Sequence, residues 1–244
     1  MHVVSDWLAL HSLEADQTTR ILLTSRQPTR NTAETGSAKA LDARLAFEVQ
    51  STIVTGLDIF FHGFTLPSLG NGGVCWISEE QRLPENAPVT VEAGPTGQVI
   101  IFCGYRNIAA DLIALTHEYG HALQIIQSNA PFIPPVDREV AAFLAEHILL
   151  AYLRSIGSPI YKEMQTVWQL EAREYLGADT QQLLWALASP NTAYDYRQNY
   201  PLAHIAAARL FRTGDKEQIW RAFNGQLAVA ELLELQPRTK GLVG

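Results

Sequence analysis

The sequence predicts an α+β chain, mostly α-helical, folded as one domain over residues 1–244 with a small antiparallel sheet. Three observations carry this. Three short runs rich in β-branched and aromatic residues lie between residues 74 and 103, bounded by Gly and Pro. After Gly104 the pattern changes to helical, with apolar residues three and four apart. The composition, 47% hydrophobic and 18% charged with a mean hydropathy of -0.01, suits a globular core and excludes a disordered or collagen-like chain.

The elements follow in order. Residues 6–13 predict a short amphipathic helix and residues 20–24 a short strand. The stretch 24–39 is polar and poor in large apolar side chains, as in a flexible exposed loop. Over 40–61, Leu41, Leu45, Val49, Ile53, Leu57 and Phe61 recur every four positions, which predicts a long helix with one buried face. Gly70, Gly72 and Gly73 break the chain before strands at 74–78, 89–93 and 98–103. Pro84, Pro88, Gly94, Pro95 and Gly97 between them predict hairpin-like connections. Asn107 is placed to cap a helix running to residue 128, and the prolines of 129–135 end it. Asp137 is placed to cap the next, over 138–155. A third helix spans 159–176, where Gly177 stops it, and shorter ones follow at 180–188, 201–212, 215–223 and 227–235.

Eighteen Lys and Arg against 25 Asp and Glu leave a net charge of -7, with no basic run to attract nucleic acid or anionic lipid. The first cation is Arg20, and Asp6 interrupts the early apolar residues, so no signal-peptide plan is present. The longest apolar runs, such as 141–153, carry Glu146 and His147 and fall short of the roughly 20 residues a spanning helix needs. These features predict a soluble, cytoplasmic protein that binds neither nucleic acid nor membrane. Cys75 and Cys103 stand among apolar residues and read as buried thiols.

The strongest signal is His117-Glu118-Tyr119-Gly120-His121, an H-E-x-x-H match inside the clearest helix of the chain. Four helical residues turn through about 400°, so the two imidazoles point the same way and can grip one cation. Glu118 stands beside them, placed to act as general base on a water while staying off the metal. Imidazole and carboxylate suit zinc, and manganese or cobalt fit similar ligands. A catalytic zinc takes a third protein ligand. Glu139, Glu146 and His147 on the next helix are the candidates. The two glutamates, seven positions apart, share a helix face, so one can bind while the other holds an imidazole N–H. His147 reads as a packing or surface residue.

At these residues the chain resembles the thimet-oligopeptidase and oligoendopeptidase F family of zinc metallopeptidases. The resemblance spans about residues 72–153. The family's H-E-x-G-H matches His117, Glu118, Gly120 and His121, and its downstream E-V-A-S-type segment resembles the run from Glu139-Val140-Ala141-Ala142 to Glu146. Upstream, Gly72-Gly73-Val74-Cys75-Trp76 is similar to its G-A-F segment. The resemblance implies a gluzincin-type zincin core in which Glu139 is the third zinc ligand and Glu146 orients a ligand from behind. An extended substrate would then pair with an exposed strand edge, for which residues 73–78 are the candidate. The family also uses a late histidine and tyrosines on the oxyanion. Among Tyr194, Tyr196, Tyr200 and His204, the sequence favours Tyr200 and His204, one helical turn apart.

The implied activity is hydrolysis of a peptide bond. Zinc held by His117, His121 and Glu139 activates water, Glu118 removes its proton and later returns it to the leaving amine. Family members are typically more than twice this length, with a helical roof over a deep channel. This chain therefore predicts an open cleft, one closed by another subunit of a homo-oligomer, or a site adapted to a small amide or other non-peptide metabolite. A non-catalytic binding module is the remaining alternative, and the intact Glu118 counts against it.

Overall fold

The computed structural model describes residues 3–25, 45–64, 74–77, 89–93, 98–104, 108–128, 130 and 132–234. In chain order these form α1 (Val4–Leu10), α2 (Ala15–Ser25), α3 (Leu45–Phe60), β1 (Val74–Ile77), β2 (Val89–Ala93), β3 (Gln98–Gly104), α4 (Ala109–Gln127), α5 (Pro135–Ser155) and α6 (Tyr161–Glu174). A π-helical turn (Tyr175–Asp179) leads into α7 (Thr180–Ala188), and a 3-10 turn (Tyr196–Asn199) into α8 (Tyr200–Thr213), α9 (Lys216–Phe223) and α10 (Val229–Glu234). The described residues are thus mostly helical with one small sheet, an α+β composition. No helix among them is long and apolar enough to cross a membrane.

Contacts gather these elements into two compact units, one holding α1, α2, α7 to α10 and the start of α5, the other α3, the sheet, α4, most of α6 and α5 from Ala141 onward. In the second unit, β3 is the central strand, with β1 and β2 at the two edges. β2 is antiparallel to β3, Thr90 opposite Ile101, while β1 is parallel to β3, Val74 also opposite Ile101. The expected antiparallel sheet is therefore mixed. Only β2 and β3 have the four-residue spacing of a hairpin, whereas about twenty residues separate β1 from β3, enough for a parallel crossover. Val99, Ile101 and Cys103 alternate into the core from β3.

Two glycines set helix distances in this unit. A Cβ on Gly120 of α4 would lie 2.6 Å from the Ala142 Cα and 2.9 Å from the Ala141 carbonyl oxygen of α5, so these helices meet backbone to backbone. Gly56 of α3 similarly accepts the Tyr152 ring, 3.0 Å from where its Cβ would stand. Ile53, Leu57 and Phe61 are buried, as their four-residue spacing predicted, while residues 40–44 of that expected helix lie outside the described residues.

The first unit is built on α8, whose Leu202, Ala203, Ala206, Ala207 and Leu210 are buried. α1 docks through the Trp7 indole N–H, which donates to Asn199 Oδ1 at 2.8 Å. His11 bonds the Trp7 carbonyl through Nδ1 at 2.7 Å, so its Nε2 is the acceptor for the Val136 N–H at 3.1 Å in the first turn of α5. An imidazole thereby satisfies a donor that has no partner within its own helix.

Several expectations need correction. Residues 20–24 continue α2 and form no strand: Thr18 and Leu22, four apart, are both buried, and Thr24 bonds back to the Arg20 and Ile21 carbonyls. A five-residue window cannot separate a two-residue period from a helical one. Thr24 and Ser25 therefore end a helix, and the rest of the predicted loop, 26–39, lies outside the described residues, as does Asn107. The position before α4 is Ile108, without a side-chain cap. Pro135, with its preset φ, opens α5 ahead of Asp137. The Asp137 carboxylate instead accepts the Val229 N–H at 2.5 Å, capping α10. Gly177 does not stop the third helix. The π turn absorbs it, and the Thr180 hydroxyl donates to the Tyr175 carbonyl five residues back.

Candidate metal centre

α4 is buried on nearly all sides, including Leu112, Ile113, Leu115, Tyr119 and Ala122. Such a helix is shielded from water, so its buried Glu118 and His121 require polar partners. The His117 and His121 rings, one turn apart, have centroids 4.9 Å from each other, and the Phe143 ring meets His117 edge-on at 5.2 Å.

Glu146 of α5 is buried and uses both carboxylate oxygens. Oε1 accepts from His117 Nδ1 at 2.7 Å, and Oε2 accepts the Trp168 indole N–H of α6 at 2.9 Å. A carboxylate on Nδ1 fixes the tautomer with the proton there, which turns the Nε2 lone pair outward as a ligand. Ligand atoms of His117, His121 and Glu139 all lie within 4.8 Å of one another. Ligands about 2.0–2.1 Å from a tetrahedral zinc stand roughly 3.3 Å apart, so the widest pair need close by only about 1.5 Å. Two imidazoles and a carboxylate also match zinc's ligand preferences. The residues fit such an ion.

Glu139 is itself 1% exposed. The Tyr196 hydroxyl donates to its Oε1 at 2.6 Å. Burial, reinforced by that carboxylate, raises the Tyr196 pKa above the ordinary phenol range, so the hydroxyl keeps its proton. Tyr200, favoured from sequence, begins α8 and packs its ring 6.0 Å from Tyr196 and 5.1 Å from Tyr175. His204 lies one turn on, buried, with Tyr175 at 6.3 Å. Burial pushes His204 down to about 4, so at neutral pH it is an uncharged imidazole. The Tyr194 hydroxyl accepts from Asn199 Nδ2 at 2.7 Å, and His147 packs its ring 5.0 Å from Trp168.

Glu118 is held from the sheet. The Thr90 hydroxyl of β2 lies 2.6 Å from Glu118 Oε2 and 2.9 Å from its backbone oxygen. The candidate substrate edge at 73–78 contains β1, an edge strand, but the strand that reaches Glu118 is the opposite edge, β2. Sequence reading missed Thr90 and Trp168, and left Tyr196 unselected within its cluster. No protein-family model, curated protein or solved structure was found to match the chain.

Proposed function

We propose that this protein is a zinc-dependent hydrolase, a metallopeptidase that is a short relative of the thimet-oligopeptidase and oligoendopeptidase F family with a zincin-type core. The observation that carries the reading is the donor group of His117, His121 and Glu139, with Glu118 next to the first histidine on the same helix. His117, oriented by Glu146, would hold the ion together with His121 and Glu139. When bound, zinc supplies Lewis acidity that polarises a carbonyl and brings the pKa of a water near neutrality. Glu118 accepts the proton of the attacking water and returns it to the leaving amine. The Tyr200 phenol would supply a donor for the negative charge that develops on the carbonyl oxygen, while the Tyr196 hydroxyl holds Glu139.

Metal analysis of the purified protein, with turnover of a mixed peptide library by wild type and Glu118→Gln, tests this. Stoichiometric zinc and cleavage that disappears in Glu118→Gln are expected. Zinc without peptide cleavage would overturn the peptidase assignment in favour of an enzyme acting on a small amide or other non-peptide metabolite. A protein that takes up no metal would be a binding module.

A further inference from the structure

We propose that Thr90 is a positioning residue for this chemistry, its hydroxyl fixing the orientation of the Glu118 carboxylate; the inference rests on the hydrolase reading above. Four features support it. First, the 2.6 Å contact to Oε2 is short, as for a hydroxyl donating to a carboxylate. A threonine hydroxyl has one proton to give, and of its two neighbours on Glu118 the carboxylate oxygen is both nearer and the stronger acceptor.

Second, the support is rigid. Thr90 is paired across β2 and β3 with Ile101, which is 1% exposed, and its β-branched side chain has little χ1 freedom. Third, Glu118 is 7% exposed, so little solvent can replace the hydroxyl. Fourth, the same hydroxyl is 2.9 Å from the Glu118 backbone oxygen, so main chain and carboxylate are registered to one point on the strand. A general base must hold its oxygen close to the working position, since a misplacement of about 1 Å can cost on the order of 100-fold in rate.

The test uses the full zinc-loaded chain with Thr90→Val, which keeps shape and removes the hydroxyl, and Thr90→Ser, which keeps the hydroxyl. For Thr90→Val, kcat on a cleaved peptide should fall about 10- to 100-fold with KM within about threefold, and Thr90→Ser should restore kcat to within about threefold. Zinc affinity from chelator competition should be equal in all three proteins. Crystal structures should show the Glu118 carboxylate in one orientation in wild type and Thr90→Ser, and displaced or split in Thr90→Val. An unchanged kcat in Thr90→Val, failure of Thr90→Ser to restore it, or an undisplaced carboxylate would each overturn the inference. So would a loss of zinc affinity in Thr90→Val, the mark of a merely structural threonine. If wild type holds zinc yet cleaves no peptide, the peptidase reading fails by that result, and the Glu118 orientations alone decide the role of Thr90.

Discussion

Gly120→Ala sets two effects of opposite sign against each other. In the interior of a helix, alanine is favoured over glycine by about 0.8–1 kcal/mol. At Gly120, however, the added methyl would sit 2.6 Å from the Ala142 Cα and 2.9 Å from the Ala141 carbonyl oxygen. Carbon atoms pack comfortably at about 3.5–4.0 Å, so roughly 1 Å must be recovered. Both neighbours are backbone, and no side chain can swing aside. α4 and α5 must separate, at the upper end of the roughly 1–3 kcal/mol that overpacking costs. The net expectation is a loss of about 2 kcal/mol, or about 4–8 °C in Tm for a chain of this size. Thermal unfolding of the metal-free protein measures it. The separation also pulls His117 from Glu146, so zinc affinity should fall at least about tenfold. A Tm equal to or above wild type would mean that propensity wins and that these helices do not meet at Gly120.

Further outcomes concern the groups around the donor set. Glu146→Gln presents an amide NH2 to one of two donors, the His117 Nδ1–H or the Trp168 indole, and should weaken zinc binding about 10- to 100-fold in chelator competition. Trp168→Phe removes one donor from a buried carboxylate and should lower stability by about 1–3 kcal/mol in urea unfolding, a loss that Glu146→Gln in the same background should partly relieve. Burial holds the His11 and His204 pKa values down, His204 at about 4. At these two imidazoles the folded protein binds fewer protons than the unfolded chain below the usual histidine value of about 6.5, so their contribution to stability is full above that pH and falls toward pH 4. Asp137, whose carboxyl burial pushes up to about 7, contributes with the opposite sign over the same window. Each group contributes a slope of up to about 1.4 kcal/mol per pH unit. The difference in Tm between wild type and His204→Gln should change between about pH 7 and pH 4.5, wild type losing more on acidification, and a difference that stays constant over this window would contradict the burial argument for His204.

What was legible in the sequence is what is local. His117 and His121 announce themselves because four residues make one turn, and Ile53, Leu57 and Phe61 because burial repeats at the same interval. The three strands were visible from alternation and turn residues, but alternation is identical for either strand direction, so the parallel pairing of β1 was not. Thr90 is 28 residues from Glu118 and Trp168 is 22 from Glu146, separations at which no period links two side chains. Gly120 could be seen as part of a motif, yet its steric reason is Ala142 on another helix. Asp137 looked like a cap for its own helix and caps another 92 residues away, since either role requires only an acidic oxygen near unpaired amides.

The bond from Trp168 to Glu146 would also make the indole an optical reporter of an ion bound as proposed. The indole N–H shares its carboxylate acceptor with an imidazole of the donor group, so any ion that draws electron density from His117 alters the charge felt by the indole two bonds away. If an ion binds at the donor group as proposed, Trp168 emission should respond to it through this bond, and subtracting the spectrum of Trp168→Phe would isolate that response from the other four tryptophans without an added label.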